Sequence, residues 1–353
     1  MRIKIIIFII TLIFTACSKK TDTVVDINEP VMEVINEEAE IEEEPEETID
    51  DNSDNMVVSS LDGLRYYPEE LEKRPVAVSI DNHPRARWQA GISFAEIVYE
   101  FEVEYPFTRY LCIFYAKEPE RIGPVRSARP YILYYAMEND GIFVHVGGSE
   151  DAFSEITRLK AANVDGLYSG AMWRYNDTGK YAPHNMYTSL STIRDEAAGY
   201  GYRTEGNFEG YLFNEKSTKL SESYEVNSAE KIKIVYNAYN TTEYVYDEMN
   251  TSYLRFKDGE EHIDELDKKQ IRVKNIIIIE VSKSVLDNEG RLYLGTIGKG
   301  KGLYITEGEV IPVTWEKSAE KSRTRFYTDK GELMLNPGGT WIQVVNSLNS
   351  VEY

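Results

Sequence analysis

Arg74-Pro75-Val76-Ala77-Val78-Ser79-Ile80-Asp81-Asn82-His83-Pro84 reads as a short β run, led in by a proline and closed by polar, turn-forming residues. Downstream of it, residues 97–104 and 109–115 alternate as a neighbouring pair of strands, with a turn at Tyr105-Pro106. Residues 130–139 are helical in pattern, 142–146 form another β run, and 150–162 and 191–199 are further helices. Strands alternating with helices predict an α/β sheet domain over residues 64–229.

The pattern changes near Glu230. Short apolar runs at 232–238, 243–246, 253–256, 276–281, 292–295, 310–314, 325–327, 332–335 and 340–345 are separated by turns such as Asp258-Gly259 and Asn288-Glu289-Gly290. Helical period is scarce there, so residues 230–353 are expected to form a mostly β domain, a small barrel or sandwich. The fold class expected for the whole body is therefore α/β or α+β, an N-terminal sheet-and-helix domain followed by a mostly β one.

Upstream of both, Arg2 and Lys4 precede an apolar run at 5–14. That run is too short to cross roughly 30 Å of hydrocarbon but suits a signal peptide over residues 1–16. It ends in Phe14-Thr15-Ala16-Cys17, which resembles a lipobox with Phe14 where leucine is usual. The expectation is cleavage before Cys17 and acylation of its thiol. The bilayer then becomes a partner, and the body is held on the extracytoplasmic face of the cell membrane, where two acyl chains give stable anchoring. Cys112, the other cysteine, lies in the apolar run Tyr110-Leu111-Cys112-Ile113-Phe114-Tyr115, so no disulfide framework forms and a buried, inert thiol is expected.

A net charge of −21 overstates the acidity of the body. Between Thr21 and Leu64 there are sixteen Asp and Glu and no Lys or Arg; removing those charges leaves −5 for the remainder. Residues 17–63 therefore read as an acidic, solvated spacer whose like charges extend it and which buries too little apolar area to fold. No basic cluster suits a nucleic acid, and none is expected as a partner.

Several strings then become familiar together: Ala95-Glu96-Ile97-Val98-Tyr99-Glu100, Ile122-Gly123-Pro124-Val125-Arg126-Ser127-Ala128-Arg129, His145-Val146-Gly147-Gly148-Ser149, Pro183-His184-Asn185-Met186-Tyr187 and Leu335-Asn336-Pro337-Gly338-Gly339-Thr340-Trp341-Ile342. They resemble the YerB-like lipoprotein family of Gram-positive bacteria over residues 64–345. The resemblance implies a two-domain lipoprotein with an N-terminal and a C-terminal domain, and it supplies no reaction and no cofactor.

Candidate ligand-binding residues lie in these strings and at the polar ends of the first β runs: Asp81, Asn82, His83, Glu100, Arg109, Arg126, Ser127, Arg129, His145, Ser149, His184 and Asn185. Ser127 is placed to cap the helix containing Pro130, with Arg126 and Arg129 on one side of its N-terminus, where two cations are disfavoured unless an anion joins them. That anion is either a ligand or one of Glu100, Glu102 and Glu104. Ser149 should cap the next helix after the Gly147-Gly148 turn. No His-x-x-x-His or Cys-x-x-Cys spacing occurs, so no metal is expected, although Asp81, His83, Glu100 and His184 could converge in space. Gly-x-Ser-x-Gly is absent, and Gly298-Lys299-Gly300-Lys301-Gly302 lacks the spacing of a phosphate loop and reads as a flexible hairpin. Two readings follow. One is a binding lipoprotein that holds an anionic ligand, a cell-wall polymer or another envelope protein through an Arg/His cluster. The alternative is an envelope enzyme on wall glycopolymer, a hydrolase or phosphoryl-type transferase, with Asp81 or Glu100 as base or metal ligand.

Overall fold

The computed structural model describes residues 55–353. The expected signal peptide, Cys17 and the spacer up to residue 54 lie outside the described residues. Val57–Val58 already pairs with Arg65–Tyr66, and Leu61 between them is fully buried.

Strands β1 (Val76–Asp81), β2 (Ile97–Glu102) and β3 (Thr108–Phe114) are buried along their whole length. A strand that is apolar on both parities needs both its faces covered. Helix α1 (Pro130–Glu138), strand β4 (Ile142–His145), helix α2 (Glu150–Leu159), strand β5 (Asn163–Asp165) and helix α3 (Leu190–Gly199) follow. Ser149 caps α2 by accepting a hydrogen bond from Ala152 N–H, as its position implied. The cap of α1 is Arg129 and not Ser127. Pro130 occupies the first helical position, which holds the residue before it extended, so the helix starts three residues after Ser127.

The second half is β-rich: β6 (Lys231–Asn237), β7 (Asn240–Asp247), β8 (Ser252–Lys257), β9 (Asn275–Glu280), β10 (Gly298–Thr306), β11 (Glu309–Lys317), β12 (Arg325–Thr328) and β13 (Thr340–Val345). The glycine-lysine run is the first half of β10, a regular arm of the β10–β11 hairpin and not a loose tip. Gly302 is required there because a Cβ would stand 2.5 Å from the carbonyl oxygen of Ile278 on the next strand.

Both halves contribute to one sheet. Its order is β12-β11-β10-β9-β13-β2-β3-β1-β4-β5, with short strands at Gly331–Glu332 and Asn227–Ser228 on its far side. The seam is parallel: β13 lies between β9 and β2, opposing Gln343 to Ile278 on one side and to Glu100 on the other. A second sheet, built on β8-β7-β6, lies over one face of the seam, where Val98, Tyr110, Ile276 and Trp341 share a core with Ile232, Tyr244 and Tyr253. Helix α1 covers the opposite face, where Tyr131, Ile132 and Tyr135 meet Tyr99 and Phe101. The fold is thus an α/β first half joined to a β-rich second half.

Between the two sheets sits Glu100. Its carboxylate accepts hydrogen bonds from Arg255 Nη2 at 2.6 Å, Lys257 Nζ at 2.9 Å, Thr108 Oγ1 at 2.7 Å and Thr242 Oγ1 at 3.2 Å. All three charged side chains are fully buried. Burial by itself would raise the Glu100 carboxyl, but the Lys257 and Arg255 cations override it and hold it down at about 2. Removing one partner strands the other charges in a medium that cannot solvate them. We predict that Glu100→Gln lowers the unfolding free energy at pH 7 by about 3–5 kcal/mol, measured by urea denaturation. The folded value lies below the unfolded one, so the carboxylate's contribution is complete above about pH 4.5 and is lost as pH falls toward 2. The gap between wild type and Glu100→Gln should therefore narrow steadily below pH 4.5.

Candidate functional site

Strand β1 delivers Asp81 to its carboxyl end, beside the carboxyl ends of the parallel neighbours β4 and β5. In open sheets of parallel strands, this edge is where ligands are commonly held. Three segments meet there. Arg109 on β3 stands directly across from Asp81 in the ladder. Val125 bridges Ile80, and Arg126 N–H donates to Ser79 O, so the Arg126 side chain lies alongside the end of β1. On the far side of that segment, Val125 N–H donates to Met186 O, which places His184 two residues upstream of the same seam.

The resulting cluster is close. His184 Nδ1 lies 2.8 Å from Asp81 Oδ2, and Arg126 Nε lies 3.5 Å from the same oxygen. Asp81 Oδ1 accepts the His83 N–H at 3.0 Å. The ring of His83 stacks on that of His184 with centroids 4.3 Å apart, and its other neighbour is Phe107 at 4.5 Å. Burial alone would raise the Asp81 carboxyl; its hydrogen bond from His184 and the nearby Arg126 bring it below the usual range, so it is ionised. Burial and then the neighbouring His184 lower His83. An ionised carboxylate can only accept, so His184 Nδ1 donates to it, and neutral His184 carries its lone pair on Nε2. His83 Nδ1 accepts the Arg85 N–H at 3.1 Å, which places its ring proton on Nε2.

The remaining candidates are held elsewhere. Arg129 turns away from Arg126 and donates from Nε to Glu104 Oε1 at 2.7 Å. Arg109 shares Glu104 at 3.8 Å and donates to Ser127 O at 2.7 Å; burial first, and the neighbouring Arg129 next, depress it to about 10. Thus Arg126 and Arg129 do not form one anion clamp, because Glu104 supplies an internal anion for the second. Glu100 is sealed between the sheets and does not join Asp81 and the histidines. Asn82 is buried and ties β1 to Thr108 Oγ1 at 2.6 Å. His145 is buried, with Nδ1 on Gly147 O at 2.9 Å and Nε2 on Asn163 Oδ1 at 3.2 Å. Ser149 is occupied as a cap, and Asn185 bonds Asn176 and Arg174. Of the twelve candidates, Asp81, His83, Arg126 and His184 come together, with Arg109 and the Ser127 carbonyl behind them.

Phe107, Arg85 and Tyr181 border this cluster and were not among the sequence candidates. Arg85 stands 5.9 Å above the exposed Tyr181 ring. For Arg85 and Tyr181, proximity to His83 and His184 along the chain was the available signal; Phe107 reaches His83 only through the fold.

The motifs gathered at this edge fall within matched family models. The model described as "Protein of unknown function (DUF3048) N-terminal domain" matches residues 61–203, and its C-terminal counterpart matches residues 232–342. The chain belongs to the DUF3048 family. Among DUF3048 relatives, the Bacillus subtilis (strain 168) protein named "Putative lipoprotein YerB" is 36% identical over 295 residues, covering 82% of this chain and 86% of the relative. The crystal structure of Bacillus subtilis YerB superposes with a TM-score of 0.76 at 34% identity, covering 84% of this chain and 99% of that one.

The different engagement of the two arginines of this DUF3048 chain is testable. Arg129→Ala should lower stability by about 1–2 kcal/mol, because Glu104 loses its partly buried hydrogen-bonded partner. Arg126→Ala, with a half-exposed side chain, should stay within about 0.5 kcal/mol of wild type in the same thermal denaturation series.

Proposed function

We propose that this chain is a lipoprotein held by acylated Cys17 on the extracytoplasmic face of a Gram-positive-type cell membrane, and that its body binds an anionic ligand or cell-wall component at Asp81, His83, Arg126 and His184. The anchoring part is supported by Phe14-Thr15-Ala16-Cys17 behind a short apolar run, and by the name of the Bacillus subtilis relative. The binding part rests on one observation, an excess of cation. Arg85 and Arg126 stand beside Asp81, whose carboxylate His184 already engages, while Arg109 and Arg129 share Glu104. Arg126 keeps 29% of its side chain exposed and, among the described residues, pairs with Asp81 alone. Two guanidinium groups beside one shared carboxylate suit a phosphate or carboxylate, for which the planar fork of arginine supplies paired donors.

A second reading, an envelope enzyme acting on wall glycopolymer, is favoured by the carboxylate-oriented imidazole of His184.

Two outcomes are expected. Cells fed labelled palmitate should label the wild-type protein, whereas Cys17→Ala should remain unlabelled and leave the membrane fraction. Purified wall polymer should bind the full chain in detergent, and Arg126→Ala should weaken that binding about tenfold or more, the loss of one charge-assisted contact, measured by titration calorimetry.

A further inference from the structure

His83 and His184 lie against each other with opposite ring protonation, and this arrangement goes beyond what holding an anion needs. We propose that the site is a general-base centre that cleaves a phosphodiester of a polyol, using a hydroxyl adjacent to the ester oxygen as nucleophile. The proposal rests on the anion-binding reading above and adds chemistry to it.

The imidazole of His184 is oriented by Asp81 at 2.8 Å, and its Nε2 lone pair has no protein partner among the described residues. A carboxylate behind an imidazole fixes the ring and stabilises the imidazolium that forms when Nε2 takes a proton. Beside it, His83 presents Nε2–H because its Nδ1 is spent on Arg85 N–H. A neutral imidazole held this way is a hydrogen-bond donor and not a base. Arg126 supplies the third group, a guanidinium near the shared carboxylate. The set therefore contains one base and two donors for developing negative charge. Phe107, packed on the His83 ring, supplies an apolar wall.

Among the described residues no side-chain nucleophile is bonded to this set. Ser79 Oγ donates to Ser127 O, Cys112 is buried within β3 with burial pushing its thiol up, and no hydroxyl is bonded to His184 Nε2 among the described residues. The proposed scheme takes the attacking oxygen from the substrate itself. In the step, the substrate hydroxyl gives its proton to His184 Nε2 while its oxygen bonds phosphorus. The bond from phosphorus to the leaving alkoxide breaks on the opposite side, that oxygen takes a proton from solvent water, and the His184 imidazolium returns its proton to the hydroxide so formed. The products are a cyclic phosphodiester and an alcohol; nothing is oxidised or reduced. Arg126 and His83 Nε2–H bond the non-bridging oxygens as charge builds on them. In this scheme His184 is the catalytic base and Asp81 is a positioning residue.

The test uses the full chain in detergent with purified polyglycerol phosphate, read by phosphorus NMR for cyclic phosphate. Wild type should generate that signal from the free polymer and not from polymer whose neighbouring hydroxyls are acylated, a comparison that needs no variant. His184→Gln should lower the cleavage rate more than a hundredfold, a far larger loss than any weakening of polymer binding in the same titration. Asp81→Asn should lower the rate similarly and also move the acid limb of the pH profile to lower pH. Among the described residues His184 faces Asp81, His83 and Arg126, with Arg85 and Arg109 behind them, and the substitution removes the one anion in that set. A profile unmoved by Asp81→Asn, cleavage of the acylated polymer, or cleavage abolished by a chelator would each overturn the proposal. Bound polymer that stays intact overturns the chemistry and leaves the binding reading standing. Polymer that fails to bind, or binds equally to Arg126→Ala, brings down both.

Discussion

A single buried carboxylate decides how the two halves of this molecule meet. Glu100 comes from β2, and the cations that neutralise it, Arg255 and Lys257, come from the second sheet. Desolvating three charges is tolerable only because each finds a partner and the leftover lone pairs are taken by Thr108 and Thr242. The arrangement admits one register, since sliding the second sheet by a residue would turn Arg255 and Lys257 toward solvent and leave the acid alone. A matching arrangement exists on the helix side. Glu138 at the end of α1 accepts from Lys317 Nζ at 2.6 Å and from Thr324 Oγ1 at 2.7 Å, again joining the first half to the second. Apolar packing supplies the bulk of the stabilisation on both faces, and these charges fix the orientation in which it forms.

That architecture explains what could and could not be read along the chain. The β runs of the first half and the changed texture after Glu230 were visible because apolar alternation and turn chemistry are local properties. The seam was not visible. Nothing near Thr340–Val345 says that it will insert between β9 and β2, because partner choice in a parallel sheet is set by tertiary packing. One clue was present and points the right way: Tyr253, Arg255 and Lys257 share a parity on β8 with buried positions, and cations on an inward parity imply an acid opposite them.

The edge cluster was half legible. Arg126 and His184 stood out in strings of a recognisable family and Asp81 and His83 at the polar end of the first β run, and they converge because Ile80, Val125 and Met186 lie side by side. Arg129 and His145 stood out equally and are spent internally, one on Glu104 and the other on a turn carbonyl and an asparagine. Composition and spacing cannot separate an arginine with a partner from one without, since the partner comes from a different strand. Ser127 failed as a cap for a local reason that is readable afterwards, the restriction Pro130 places on the residue before it.

The insertion of β13 into the middle of the large sheet also bears on the order of events in making the protein. Strand β2 presents a fully formed hydrogen-bonding edge on its β13 side, and the residues that satisfy it are the last long strand of the chain. A polypeptide delivered from its N-terminus must carry that edge open until residues 340–345 have emerged. Folding of the first half can start early but cannot close, and a nascent or truncated chain lacking the final strand exposes an adhesive margin to any neighbour.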